Sequence, residues 1–213
     1  MPLIAVVGAT GRTGSAVISA LTHTGDDVVA VSRTAPTEAS VAHRPTDVLD
    51  PRAVSRALTG VDAVVVALGI SENPLSVRLR GARRTSSQVR SAGTRHVIRA
   101  MEEQGVRRLV VLSSYGVGDS SAGLSLQMTL IIGGLLRPQF RDHELQEEIV
   151  RASALDWTIA RPVNLLDEDR GPLYSDPHMR TVSMSVGRQQ VANRLADWAT
   201  TSAAVGETVA LSS

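Results

Sequence analysis

The chain alternates short, wholly apolar runs with segments whose apolar residues recur at helical spacing. Leu3 to Val7 is a continuous β-prone run, the pattern of a parallel strand buried on both faces. Thr13 to Thr24 places Ala16, Val17, Ala20 and Leu21 on one helical face, and Gly25 closes the helix. Asp27 to Ser32 predicts a second strand, and His43 to Val48 a short third. Asp50-Pro51 is a helix start, an N-cap followed by proline at the first position. That helix carries Val54, Ala57 and Leu58 on one face and stops at Gly60. Ala63 to Leu68 reads as a fourth strand, fully apolar. A loop from Gly69 to about Ser86 leads to a long helix ending near Gln104-Gly105, with Val89, Ala92, Val97, Ala100 and Met101 inward. Leu109 to Leu112 is the fifth strand, and residues 115–141 read as a loop. Asp142 caps a helix bearing Leu145, Ile149 and Ala152. Trp157 to Ala160 forms a sixth strand, Gln189 to Ala199 a last helix, and Thr208 to Leu211 a short terminal strand.

Repeated strand–helix units of this length predict an α/β fold: a single Rossmann-type, doubly wound parallel sheet with helices on both faces. With 213 residues and no internal repeat or linker, residues 1–213 are expected to form one domain. Small substrate-covering loops are expected near 70–86 and 115–141.

Composition narrows the chemistry. One Phe, two Tyr and two Trp leave core packing to aliphatic residues. The absence of cysteine excludes disulfides, thiolate nucleophiles and Cys-ligated metal sites. Histidines 23, 43, 96, 143 and 178 are scattered without ligand spacing, so no metal is expected. All 22 basic residues are arginine, so no lysine is present as a base, Schiff-base former or ribose clamp. A net charge of +1 and scarce aromatics argue against nucleic-acid binding. The first strand begins at the amino terminus, and the longest apolar stretch, Leu124 to Leu136, contains Gln127, Thr129 and a glycine pair and is too short to span a bilayer. A soluble, cytoplasmic protein with no membrane partner is expected, as monomer or homodimer.

The first strand runs into Gly8-x-x-Gly11-x-x-Gly14 and then a helix. Gly8 permits the tight turn, Gly11 the approach of a pyrophosphate, and Gly14 close packing of helix on sheet. Open N–H groups at the helix start would face the phosphates. The second strand ends in Ser32-Arg33 with no acid at its tip, while Asp26 and Asp27 sit at its other end. An acid there would bind the ribose 2′-hydroxyl of NAD; an arginine accommodates the 2′-phosphate of NADP. NADP(H) is therefore the expected cofactor, with Arg12 in the phosphate loop pointing the same way. An ordinary exposed arginine after a strand is the alternative for Arg33.

Four stretches together resemble one family. They are Gly8-Ala9-Thr10-Gly11-Arg12-Thr13-Gly14, Thr46-Asp47-Val48-Leu49-Asp50, Ser113-Ser114 and Trp157-Thr158-Ile159-Ala160-Arg161-Pro162. The resemblance is to the atypical short-chain dehydrogenase/reductases, and within them to the compact NAD(P)H-binding, NmrA-like group that includes flavin and biliverdin-IXβ reductases. It implies one NAD(P)-binding domain with the cofactor across the carboxyl edge of the sheet. It assigns Gly8, Thr10, Gly11, Arg12, Thr13 and Gly14 to the pyrophosphate, and Ser32 and Arg33 to the adenosine phosphate. Asp47 and Val48 fall to the adenine, Ala67, Leu68 and Gly69 to the adjoining ribose, and Ser113 and Pro162 to the flanks of the nicotinamide. One departure matters. Better-known members use Tyr-x-x-x-Lys, but Tyr115 is followed four residues later by Asp119.

Ser113 and Ser114 stand at a strand's carboxyl end, where a hydroxyl can bond a carboxamide or a substrate oxygen, or simply satisfy loop backbone. Tyr115 is a candidate acid, although an unperturbed phenol titrates near pH ~10. His143 is a candidate proton donor at a helix start, with a pH dependence near ~6.5 if it serves, or else a solvated residue. Arg78, Arg80, Arg83 and Arg84 are either a clamp for an anionic substrate or a solvated basic loop. Leu124, Leu126, Met128, Leu130, Ile131, Ile132, Leu135 and Leu136 suggest an apolar lid or a subunit contact.

The leading expectation is an NADPH-dependent oxidoreductase passing hydride to a small conjugated acceptor such as a flavin, quinone or enone/carbonyl metabolite. Few polar groups near the predicted pocket speak against a sugar. A non-catalytic NADP(H)-binding redox sensor of NmrA-like type is the alternative. A nicotinamide-dependent epimerase or isomerase is disfavoured by the missing Tyr–Lys pair.

Overall fold

The structure is a computed structural model that describes residues 1–38, 41–69, 88–123 and 137–213. The strands are β1 (Leu3–Val7), β2 (Asp27–Ser32), β3 (Ala42–Pro45), β4 (Ala63–Val66), β5 (Arg108–Leu112), β6 (Asp156–Pro162), β7 (Asn164–Leu166), β8 (Tyr174–Asp176), β9 (Ser185–Gly187) and β10 (Glu207–Ser212). The helices are α1 (Arg12–Thr24), α2 (Pro51–Ala57), α3 (Val89–Gln104), α4 (Arg137–Arg151) and α5 (Arg188–Thr200), with a 3-10 turn at Gly118–Gly123.

Eight strands form one sheet in the order β3-β2-β1-β4-β5-β6-β10-β8, parallel except for β8, which runs antiparallel to β10. Strand residues alternate between two cores, as the pleat requires. Ile4 and Val6 pack with Leu21 and Leu195 under α1 and α5. Ala5 and Val7 pack with Leu58, Met101 and Val150 under α2, α3 and α4. Covering both faces explains why the central strands are apolar throughout. The doubly wound α/β sheet is as expected. Its order reverses at β1, which pairs with β2 on one side and β4 on the other. The crevice beyond those carboxyl ends is where ligands bind in such sheets.

Local signals explain most boundaries. Gly25 adopts φ +88 and its N–H closes α1 on Thr22 O. Asp50 accepts from the amides of Arg52 and Ala53 and caps α2. The third strand is shifted from its expected span. It ends at Pro45, and residues 46–50 make a turn in which Leu49 N donates to Asp47 Oδ1 at 3.0 Å. The proline is tolerated because β3 is an edge strand.

The expected loop 115–141 is interrupted by the 3-10 turn and ends early, because α4 begins at Arg137 with Pro138 in its first turn. Asp142 is therefore inside α4, not its cap. Among the described residues, no helix is long and apolar enough to cross a membrane, and no three His, Asp or Glu gather as metal ligands. The covering loop near 70–86, with Arg78, Arg80, Arg83 and Arg84, lies outside the described residues, as does the apolar segment from Leu124 to Leu136.

Candidate functional site

A cleft of 790 Å³ opens along the carboxyl edge of the sheet. Gly8, Thr10, Gly11, Arg12 and Thr13 line one part of it, and Ser32, Arg33, Asp47 and Val48 another. Ala67, Leu68 and Gly69 form its centre, with Ser113, Ser114, His143 and Pro162 at the far end. The expected site residues thus share one wall system, apart from Gly14 and Tyr115.

Gly14 serves the packing beneath. A Cβ there would lie 2.2 Å from Gly8 O, and one at Gly8 would lie 2.6 Å from Ala67 O. Gly8 also holds φ +87, a conformation that L side chains rarely adopt. Both residues must lack a side chain for β1, α1 and the Ala67 backbone to meet. The first bond of α1 runs from Ser15 N to Gly11 O, so the amides of residues 12–14 have no acceptor within the helix. No side chain caps this start. It is an anion-favouring end that opens on the cleft.

Arg12 forms an exposed ion pair with Asp167, which also pairs with Arg188 at 3.2 Å. The Arg188 hydrogen bond, together with the Arg12 charge, holds the Asp167 carboxyl below the usual carboxylate range. Arg188 Nη1 also donates to Thr13 Oγ1 at 3.1 Å. At the β2 tip, Ser32 Oγ donates to Thr34 O at 2.7 Å, so that hydroxyl is already committed to the turn. Arg33 is exposed on the cleft wall.

The far end is more polar than expected, which weakens the argument against a sugar drawn from few polar groups. Ser113 is buried and donates to Glu147 Oε1 at 2.5 Å. Glu147, 1% exposed, is gripped by Arg161 through Nε at 3.0 Å and Nη2 at 2.7 Å. Arg161 reaches on to Asp119 at 2.5 Å, and Arg151 reaches Glu147 at 2.7 Å. His143 Nδ1 lies 3.5 Å from Ser113 Oγ. Burial, aided by the Arg90 charge and opposed by a hydrogen bond with Gln146, pushes the His143 imidazole well below its ordinary value. It is neutral at pH 7, so the expected titration near 6.5 does not apply to the folded protein.

Tyr115 turns to the other core. Its backbone N–H donates to Pro162 O and its hydroxyl donates to Met179 O at 3.2 Å. It does not line the cleft. Glu147 and Arg90 escaped the sequence reading. Glu147 sits four residues after His143, one helical turn on, and that spacing was the available signal.

A sequence model of an NAD(P)H-binding family matches residues 8–202. Solved structures superpose over nearly the whole chain. The oxidoreductase ylbE from Lactococcus lactis does so with a TM-score of 0.78 at 21% identity, covering 99% of this chain and 90% of that one. ChuY, an anaerobillin reductase from Escherichia coli O157:H7, gives 0.76 at 22% identity, over 98% and 96%. A short-chain dehydrogenase/reductase from Veillonella parvula DSM 2008 in complex with NADP gives 0.77 at 15%, over 100% and 94%. At these identities the likeness is one of fold. Fold, cleft and family match agree: the chain belongs to the NAD(P)H-binding family.

Proposed function

We propose that the protein is an NADPH-dependent reductase of the atypical short-chain type, delivering hydride to a small conjugated acceptor such as a flavin, quinone or enone. One observation carries this reading. A single cleft joins an uncapped helix start, an arginine at the β2 tip and a buried Ser113–Glu147 pair. The residues fit a dinucleotide. The cleft volume falls within the range of ligand sites, and a side chain at Gly8 or Gly14 would collide with backbone beneath the phosphate loop.

In this reading residues 10–13 hold the pyrophosphate and Arg33 the 2′-phosphate. Asp47 and Val48 flank the adenine, residues 67–69 the ribose, and Ser113 with Pro162 the nicotinamide. The dihydronicotinamide, when bound, supplies the hydride. Ser113 gives its own proton to Glu147 and so offers an oxygen lone pair to a carboxamide N–H. A neutral His143 and a Tyr115 hydroxyl committed to Met179 leave solvent as the proton source.

The test is NADPH oxidation across a panel of flavins, quinones and carbonyl compounds, beside titration of both cofactors. Turnover with at least one acceptor is expected. Tight NADP(H) binding without turnover on any of them would instead favour a redox sensor.

A further inference from the structure

Arg90 sits in the first turn of α3 and lines the cleft at its acceptor end, with Ser113 and His143. Its side chain is 10% exposed, and its Nε and Nη1 have no hydrogen-bond partner among the described residues. Asp142 lies near, but Oδ2 is 3.8 Å from Nη1, beyond hydrogen-bond reach. That carboxylate is already occupied. Its Oδ2 accepts from Arg90 N at 3.1 Å, and its Oδ1 from Ser91 N at 3.1 Å and Ser91 Oγ at 2.5 Å.

Arg161, buried, and Arg108, half-buried, are treated differently. Arg161 gives all three nitrogens to Glu147 and Asp119. Arg108 gives its three to the carbonyls of Trp198, Asp156 and Ala203. In both, the guanidinium is saturated by protein acceptors. Arg90 is not, although burying donors without acceptors is costly. Burial accordingly pushes its pKa down, with Asp142 only partly opposing.

We propose that Arg90 recognises a carboxylate on the acceptor, so that the substrate class is a conjugated carboxylic acid. This deepens the reductase reading of the same cleft and rests on it. A carboxylate suits the site better than a phosphate because the local charge is small. Among the described residues at this end, Arg90 stands near Asp142, Glu147 is already paired with Arg161 and Arg151, and a neutral His143 adds nothing. A monoanion matches that one guanidinium, whereas a dianion carries a second charge that Arg90 alone does not match.

Calorimetric titration of the NADP-saturated protein tests it with three probes: cinnamate, methyl cinnamate and phenyl phosphate. Cinnamate is expected to bind at least about tenfold tighter than its ester, the scale of one charge-assisted hydrogen bond. Arg90→Met is expected to abolish that preference while leaving ester binding in place. The Asp142 bonds to backbone amides survive the change, and NADP affinity reports on the fold. Equal binding of acid and ester by the wild-type protein would overturn the proposal. So would an undiminished preference in Arg90→Met, or tighter binding of phenyl phosphate than of cinnamate. Titration needs no turnover, so a protein that prefers cinnamate yet oxidises NADPH with no acceptor would lose the reductase reading and keep the carboxylate site.

Discussion

Arg33 follows the last residue of β2, where no acid stands to receive a ribose 2′-hydroxyl. Losing a charge-assisted phosphate contact costs about 1.5–3 kcal/mol. Arg33→Ala is therefore expected to weaken NADP(H) binding about tenfold or more and to leave NAD(H) nearly unmoved, read by titration of both; equal affinities in the wild type would remove the basis for this. The glycines separate by geometry. Gly11 has an ordinary φ of −71, and a Cβ there would come no closer than 3.2 Å to Gly8 O and 3.8 Å to Ala67 O, so Gly11→Val is expected to fold and to lose the cofactor. Gly14→Ala, with its Cβ 2.2 Å from Gly8 O, is expected to unfold at lower temperature than Gly11→Val. His143 carries a pH signature. Its folded pKa lies well below the unfolded value of about 6.5, so the unfolded chain binds the proton first as pH falls. Its contribution is fully present above about pH 6.5 and declines as pH drops toward the folded pKa. Urea unfolding between pH 7 and 4.5 should show a smaller loss for His143→Gln than for the wild type. Spacing in the chain pointed to the glycine-rich turn and the β2 tip, which line one cleft, because both depend on neighbours in sequence. Arg90 was hidden because its surroundings come from other elements, and Glu147 because its Ser113 and Arg161 partners do.

At the level of elements, Asp142 binds two helices together. It projects from α4 onto the amides at the start of α3, supplying the anion that a helix N-terminus favours. Read along the chain, Asp142 before an apolar-periodic segment looked like the cap of its own helix. The residue type was informative, but the helix it caps lies 51 residues earlier in sequence. Asp142→Asn is expected to cost about 1.5–3 kcal/mol, seen as a lower urea midpoint with an unchanged slope. An unaltered midpoint would mean that the amides find other partners. The buried strands were visible because burial on both faces leaves an unbroken apolar run. The three-residue strands β7, β8 and β9 were not, since they carry too few residues to show a period and depend on partners such as β10. The third strand ended at Pro45, sooner than the span expected to Val48, because the chain turns at residues 46–50, where Asp47 accepts from Leu49 N.

Across the whole molecule, the cleft is assembled from the ends of β1, β2, β4, β5 and β6 together with the starts of α1 and α3 and the first turns of α4. No one of these segments binds a dinucleotide alone, so a cofactor that spans them ties their stabilities together. Ligand bound only to the folded state stabilises by about 2.7 kcal/mol at a hundredfold excess over its dissociation constant. For a chain of this length each kcal/mol moves Tm by about 2–4 °C. NADPH at that excess should therefore raise Tm by about 5–11 °C, and NADH at the same concentration by clearly less. Gly11→Val should show no shift with either cofactor, because the approach to the α1 amides is closed. Arg33→Ala should respond to both cofactors alike, because the 2′-phosphate then meets no matching cation. This pattern of four responses distinguishes a site spanning the sheet edge from local binding at the phosphate loop. A loop-only site would still respond to NADPH and NADH equally in the wild type, and that result would sink the assignment of Arg33 and the choice of NADPH with it.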